Sequence, residues 1–448
     1  MGIKGLMKML KHYAPNAIIE VEYASLSGSV VALDILLQLY KFIIAIRGNG
    51  DDIKTKDGRM KSHLYGLLCK IHNMLKYGII PVAVFDGKAP TIKKETLKDR
   101  CCRKKNAVKK LKKIQEEEKN NNNKDNNNNK NNNNNKDNNN NNKDNNNNKN
   151  NNNNKDNNDS NDTDKSDDTS SCSSTDSMTE KIKFYKRSFN ISENHIIDAK
   201  KIMEYFGFLN IQAPEEADSQ CAALNVSNFV DAVVTEDMDV LAFGTTKMLR
   251  KFSNKNKVIE IDFKKILSEM QIDKDQFIDI CIILGTDYCK PIKGLNINTL
   301  HDIYMKFGNM EDFVKELDSI NTKLIAEGKE IKYKIPKNFM VRWKIAKEYY
   351  LSSAFVIDPI ELINNKIMRK NYWSKPNKNK IIEFLCTDND FDVAKITRIV
   401  DYAIKRYNEY IKKGYIETDW CEINKKKSYN NNKKQKSADF VVLGRPII

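Results

Sequence analysis

Short apolar runs that end in carboxylates recur along the chain. Ala232-Val233-Val234 leads through Thr235-Glu236 into Asp237-Met238-Asp239, Val30-Val31-Ala32-Leu33 runs into Asp34, and Pro81-Val82-Ala83-Val84-Phe85 runs into Asp86. Runs of this length rich in β-branched residues predict buried strands. Helical periodicity lies between them: Leu36 to Ile46, Leu64 to Tyr77, and about Ser192 to Tyr205 with Gly207 as the stop. Further short strands are predicted near Leu209 to Ile211 and around Val258 to Ile261, and helices dominate from Phe263 to about Tyr410. The pattern reads as α/β: a mostly parallel twisted sheet flanked by helices, with a helical C-terminal part.

In an open α/β sheet, ligands gather beyond the carboxyl ends of parallel strands. Two more acidic positions join the strand exits. Glu215-Glu216-Ala217-Asp218 follows Ala213-Pro214 at a predicted helix start, where proline suits the first turn, and Asp287 closes the apolar segment Ile280 to Thr286. Any one of these acids alone reads as a solvated loop residue. Together, Asp34, Asp86, Glu216, Asp218, Asp237, Asp239 and Asp287 form seven carboxylates arriving from five places. Carboxylates packed that closely repel one another unless cations neutralise them. Hard oxygen ligands favour Mg²⁺, with Mn²⁺ able to substitute, and two such ions can stabilise the attacking and leaving oxygens of a phosphodiester.

Charge sharpens this reading. The 448 residues carry a formal net charge of +16, the footprint of a polyanion partner. Thr91 to Lys119 is a strongly basic helix with few apolar positions, suited to gripping a phosphate backbone, and Arg47, Lys70 and Lys76 are candidates for facing phosphate. Asn120 to about Ser177 is an asparagine-rich tract too poor in apolar residues to offset its ordering entropy, and is expected to be disordered. The resulting division is a 1–118 α/β region with the basic helix, a 119–179 insertion, a 180–287 second α/β region, a 288–411 helical region and a 412–448 basic tail. The nine cysteines and five histidines are scattered, which argues against a zinc site, a disulfide framework or a Ser-His-Asp triad. No apolar run reaches membrane-spanning length.

With these residues laid out, the chain resembles the flap endonucleases, the structure-specific 5′ nucleases of replication and repair. The resemblance is carried by Met1-Gly2-Ile3-Lys4-Gly5-Leu6, Ala14-Pro15-Asn16-Ala17-Ile18, Val84-Phe85-Asp86-Gly87-Lys88, Thr235-Glu236-Asp237-Met238-Asp239, Leu284-Gly285-Thr286-Asp287-Tyr288-Cys289 and Trp373-Ser374-Lys375-Pro376-Asn377. It implies a PIN-like 5′ nuclease fold in which the basic helix is an arch that the 5′ flap threads, with the asparagine tract at its cap. It implies that the seven acids above are metal ligands and that Lys93 and Arg100 are the catalytic cations. Tyr40 would stack on a base beside the cut. Gly2, Arg47, Lys70, Arg103 and Gly285 match DNA-contacting positions, with Glu216 and Asp287 at the same interface. The implied activity is Mg²⁺-dependent 5′ flap endonuclease with 5′ to 3′ exonuclease activity, in Okazaki fragment maturation and base excision repair, by a nuclear monomer acting on branched DNA.

Three departures qualify the resemblance. Asp218 stands where eukaryotic members carry Glu, one methylene longer. The family's glycine-rich, lysine-bearing hairpin, which holds a monovalent cation and duplex phosphates, here reads Gly294-Leu295-Asn296-Ile297-Asn298-Thr299-Leu300. Gln435 is followed by Ala438, Val441 and Val442 where the sliding-clamp motif has an aliphatic and two aromatics, so weak or no clamp binding is expected. Two alternatives stand beside the leading reading: an exonuclease-type or recombination-type relative, and a catalytically silent junction-binding paralogue.

Overall fold

A computed structural model describes residues 2–48, 52–131, 174–252, 257–352, 356–359 and 372–419. Met1, most of the asparagine tract and the tail from 420 onward, including the Gln435 segment, lie outside the described residues.

Seven strands form one sheet: β1 (Ile18–Glu22), β2 (Val30–Asp34), β3 (Ile80–Phe85), β4 (Asn210–Gln212), β5 (Ala232–Val234), β6 (Lys247–Arg250) and β7 (Lys257–Asp262), in the order β1-β7-β6-β5-β2-β3-β4. Neighbours from β6 through β4 are parallel, whereas β7 runs antiparallel to both β6 and β1. The sheet is therefore mixed, with a parallel centre. There β2 sits between β3 and β5, Asp34 faces Val84, and Leu33 faces Val234. This register sets three carboxylate-bearing strand exits side by side. Two strands escaped the sequence pattern. In β1 (Ile-Ile-Glu-Val-Glu) every residue keeps some solvent exposure, and β6 is bounded by Lys247 and Arg250, so neither shows a clean apolar run.

Helices α1 (Leu6–Tyr13), α2 (Ile35–Arg47) and α3 (Ser62–Lys76) precede the basic helix α4 (Lys94–Asn131), and α5 (Ser174–Arg187) and α6 (Glu193–Tyr205) follow it. The helix α7 (Ala217–Val226), the four-residue α8 (Asp239–Ala242), α9 (Phe263–Met270), α10 (Lys274–Leu284), α11 (Leu300–Phe307), α12 (Met310–Ala326) and α13 (Phe339–Leu351) complete the part that bears on the site. The apolar segment before Asp287 is the end of α10, closed by Gly285 at φ 97°.

Inside this helical part lies a buried carboxylate. Asp279 of α10 accepts hydrogen bonds from Tyr304 Oη (2.7 Å), Trp343 Nε1 (2.6 Å) and Lys347 Nζ (3.0 Å). One buried charge with three donors is well satisfied, and it ties α10 to α11 and α13.

The chain divides into two compact units, Met1–Arg100 with Asn190–Ile448, and Cys101–Phe189. In the second, Ala107 and Leu111 of α4 pack on Phe184 of α5, and Lys110 Nζ lies 5.4 Å from the Phe184 ring centroid. The basic helix α4 continues through Asn131, and helix resumes at Ser174. A nucleated helix extends at little cost per residue, so a polar tract can follow it for several turns. Among the described residues, no helix is long and apolar enough to cross a membrane.

Candidate active site

The acids converge at the carboxyl ends of the central strands. Asp34 ends β2 and caps α2, its Oδ1 accepting from Leu37 N at 3.1 Å. Asp86 leaves β3, and its Oδ1 accepts from Ala217 N at 2.6 Å, so a carboxylate from one strand satisfies the first turn of α7. That contact brings Asp86 to Glu216 and Asp218. After β5, the Thr235 hydroxyl accepts from Asp237 N at 3.0 Å and Asp237 Oδ1 accepts from Asp239 N at 3.2 Å, folding the Thr-Glu-Asp-Met-Asp turn onto itself. Beyond α10, Thr286 Oγ1 accepts from Tyr288 N at 3.2 Å and holds the turn that presents Asp287.

The electrostatics record this convergence. Burial first, and neighbouring acids second, push Asp34, Asp218 and Asp239 well above the ordinary carboxylate range; Asp34 feels Asp86, Asp218 feels Asp237, and Asp239 feels Asp237 and Asp287. Burial also raises Asp86, Glu216 and Asp237. Asp287 alone is lowered: burial works against its charge, but Lys93 and Arg100 overcome it. Lys93 contacts Glu216 and lies 2.9 Å from Asp287 Oδ2, and Arg100 Nη2 lies 2.5 Å from Asp287 Oδ1. Tyr288 Oη donates to the other oxygen of Glu216, a contact that residue spacing did not reveal.

Two features fit this donor set to a cation. Asp218 Oδ1 and Asp239 Oδ1 are buried with no hydrogen-bond partner among the described residues, an arrangement that costs free energy unless a positive charge meets it. The donors are all carboxylate oxygens, as hard divalent ions prefer. Among the described residues no three of them are yet drawn into a closed coordination group. Lys93 and Arg100 serve as counter-charges to Glu216 and Asp287.

The remaining candidates fall in different environments. Gly2, at φ 83°, lies against the Asp237 turn: a Cβ built on it would stand 2.7 Å from Met238 N and press on Asp237. Tyr40 is half-buried on α2. Arg47 grips Asp52 through Nε (3.0 Å) and Nη2 (2.8 Å) and is largely buried, so a phosphate would have to compete with that carboxylate. Lys70, a candidate for facing phosphate, is enclosed. It is 6% exposed, donates to Phe252 O at 3.0 Å and lies 3.9 Å from the Phe252 ring centroid. Burial, helped by Lys41, drives its pKa well down. Lys76 is buried likewise, over Tyr77. Arg103 is exposed on α4 in the second unit. In the altered hairpin, Asn296 Oδ1 accepts from Asn298 N at 3.0 Å, and Asn296 O accepts from Thr299 N at 3.1 Å, so the turn is closed by its own polar groups.

Family models agree with this geometry. The XPG N-terminal domain matches residues 1–107 and the XPG I-region matches 207–287. Flap endonuclease 1 of Ovis aries is 30% identical over 400 residues, covering 88% of this chain and 84% of that protein, and flap endonuclease 1 of Homo sapiens matches to the same extent. The solved catalytic core of Rad2 in complex with DNA substrate shares the fold at a TM-score of 0.58 and 20% identity, covering 90% of this chain and 100% of that one. These matches define a phosphodiester hydrolase with the 5′ nuclease fold. The chain belongs to the flap endonuclease family.

Proposed function

We propose that the chain is a divalent-metal-dependent 5′ flap endonuclease with accompanying 5′ to 3′ exonuclease activity on branched DNA. The observation that carries this reading is the set of seven acids gathered around the adjacent exits of β2, β3 and β5, six of them buried or half-buried, with Lys93 bridging Glu216 and Asp287. Asp34, Asp86, Glu216, Asp218, Asp237, Asp239 and Asp287 would hold two Mg²⁺ ions. Bound there, such ions supply an activated water and neutralise charge on the leaving oxygen.

The chain's own groups do the rest. Lys93 and Arg100 carry positive charge to the phosphate and stabilise the charge that develops on it. Tyr288 fixes the orientation of the Glu216 carboxylate. Gly2 leaves the Asp237 turn room to close. Tyr40, half-buried on α2, offers an aromatic ring suited to stacking on a base. The net charge of +16 favours a polyanionic substrate. Nuclear action in flap removal during replication and excision repair follows from this reading.

A substrate panel tests it. Equimolar double-flap, nicked, four-way-junction and single-stranded DNA, each 5′-labelled, are incubated with the protein in Mg²⁺. Preferential release of an intact flap is the expected result. Preference for the four-way junction, or stepwise trimming without flap release, would replace this reading with a recombination-type or exonuclease-type one, and binding without cleavage would point to a silent junction binder.

A further inference from the structure

A cationic patch lies one residue away from the acid cluster. Glu236, between Thr235 and Asp237, receives Lys41 Nζ at 2.8 Å and the backbone N–H of Lys251 at 2.8 Å, with Arg250 Nε at 3.5 Å. Lys41 follows Tyr40 on α2 and keeps 33% of its side chain in solvent; Lys251 is exposed. Arg250 Nε lacks a hydrogen bond, so Glu236 does not satisfy every donor around it. The side chains of Lys41 and Arg250 against one carboxylate leave a positive surplus, and the exposed Lys251 follows Arg250 in the chain. Lys70, by contrast, is sealed against Phe252 with its ammonium already bonded, and reaching a phosphate would require pulling it out of the core.

We infer that Lys41 is the cationic contact for a backbone phosphate of bound duplex DNA, in the place that position 70 was expected to fill. This rests on the flap-processing reading. A partly exposed Lys–Glu pair is weakly held, so a phosphate can take over Lys41 as its counter-ion while Glu236 returns to Arg250 and the Lys251 amide. Glu236 thereby acts as an internal placeholder for the phosphate.

The bland alternative is that the pair only latches the loop carrying Asp237, and the salt dependence of binding separates the two. Affinity for a 5′-flap DNA is measured by fluorescence anisotropy in EDTA across a KCl series. Losing one phosphate contact reduces the slope of log K against log[KCl] by about 0.9. Lys41→Met should show that reduction, Lys41→Arg should restore the slope, Lys70→Met should leave it unchanged, and Glu236→Gln should tighten binding a few-fold. An unchanged slope in Lys41→Met, or a reduced one in Lys70→Met, overturns the inference while leaving the enzyme reading intact. Failure of the unmodified protein to bind any branched DNA overturns both.

Discussion

Lys93 Nζ stands 2.9 Å from Asp287 Oδ2 while contacting Glu216, so one ammonium joins acids delivered by the start of α7 and by the turn after α10. Burial alone would drive its proton off, yet the two carboxylates outweigh burial and hold the amine above its ordinary range. Three segments remote in sequence are thus fixed together by a side chain suited to meeting a phosphate.

Replacing this cation should separate catalysis from stability. Lys93→Met is expected to slow single-turnover flap cleavage by about 10²–10³-fold, the scale of losing one preorganised charge partner. It also leaves the buried Glu216 carboxylate without its cationic partner and Asp287 with Arg100 alone. The melting temperature should therefore fall in EDTA and recover in part with Mg²⁺, because a ligand that binds the folded state stabilises it. Equal losses with and without the ion would contradict a shared neutralising role.

Gly2 probes the other side of the acid cluster. Gly2→Ala places a side chain at φ 83° within 2.7 Å of Met238 N. The backbone cost is about 1 kcal/mol, and the Asp237 turn must also shift. Cleavage should fall far more than global stability, measured by thermal melting alongside single-turnover rates. Unaltered cleavage would show that the turn does not need this close approach.

A pH effect is expected far from the acids. His195 Nδ1 accepts from Ser192 N at 3.0 Å in the cap of α6, which requires an unprotonated Nδ1. Burial, then His63, lower its pKa to about 4 from the ordinary 6.5. Between these values the unfolded chain holds the proton and the folded one does not, so stability falls as pH drops from about 6.5 to 4 and the contribution levels off below. His195→Gln keeps a capping acceptor without a titrating ring. It should flatten that part of the stability–pH curve in chemical denaturation, and an unchanged slope would assign the effect elsewhere.

The gathering of acids at one end of the sheet was legible because strand exits are local. Val30 to Asp34, Val84 to Asp86 and Val233 to Asp237 each show a β-branched run and its acid within a few residues, and a parallel sheet brings such ends together. What stayed hidden depends on partners distant in sequence. Lys70 sits in a helical pattern that also suits a solvated lysine, and only its meeting with Phe252 buries it. Asp279 looks like any helical acid until Tyr304, Trp343 and Lys347 converge on it. Strand β1 is read only once β7 pairs with it, since its own residues alternate no apolar face.

The most direct test is metal-dependent incision of a double-flap DNA by the unmodified protein and by Asp237→Ala. Asp237 lies at the turn where burial and Asp287 both disfavour its charge, and its loss removes a central member of the acid set. The predicted result is a Mg²⁺-dependent cut one nucleotide into the duplex that disappears in the variant, while DNA binding in EDTA is retained. Cleavage that persists in Asp237→Ala, or that proceeds equally in EDTA, would contradict the assignment of these acids as a metal-holding catalytic centre.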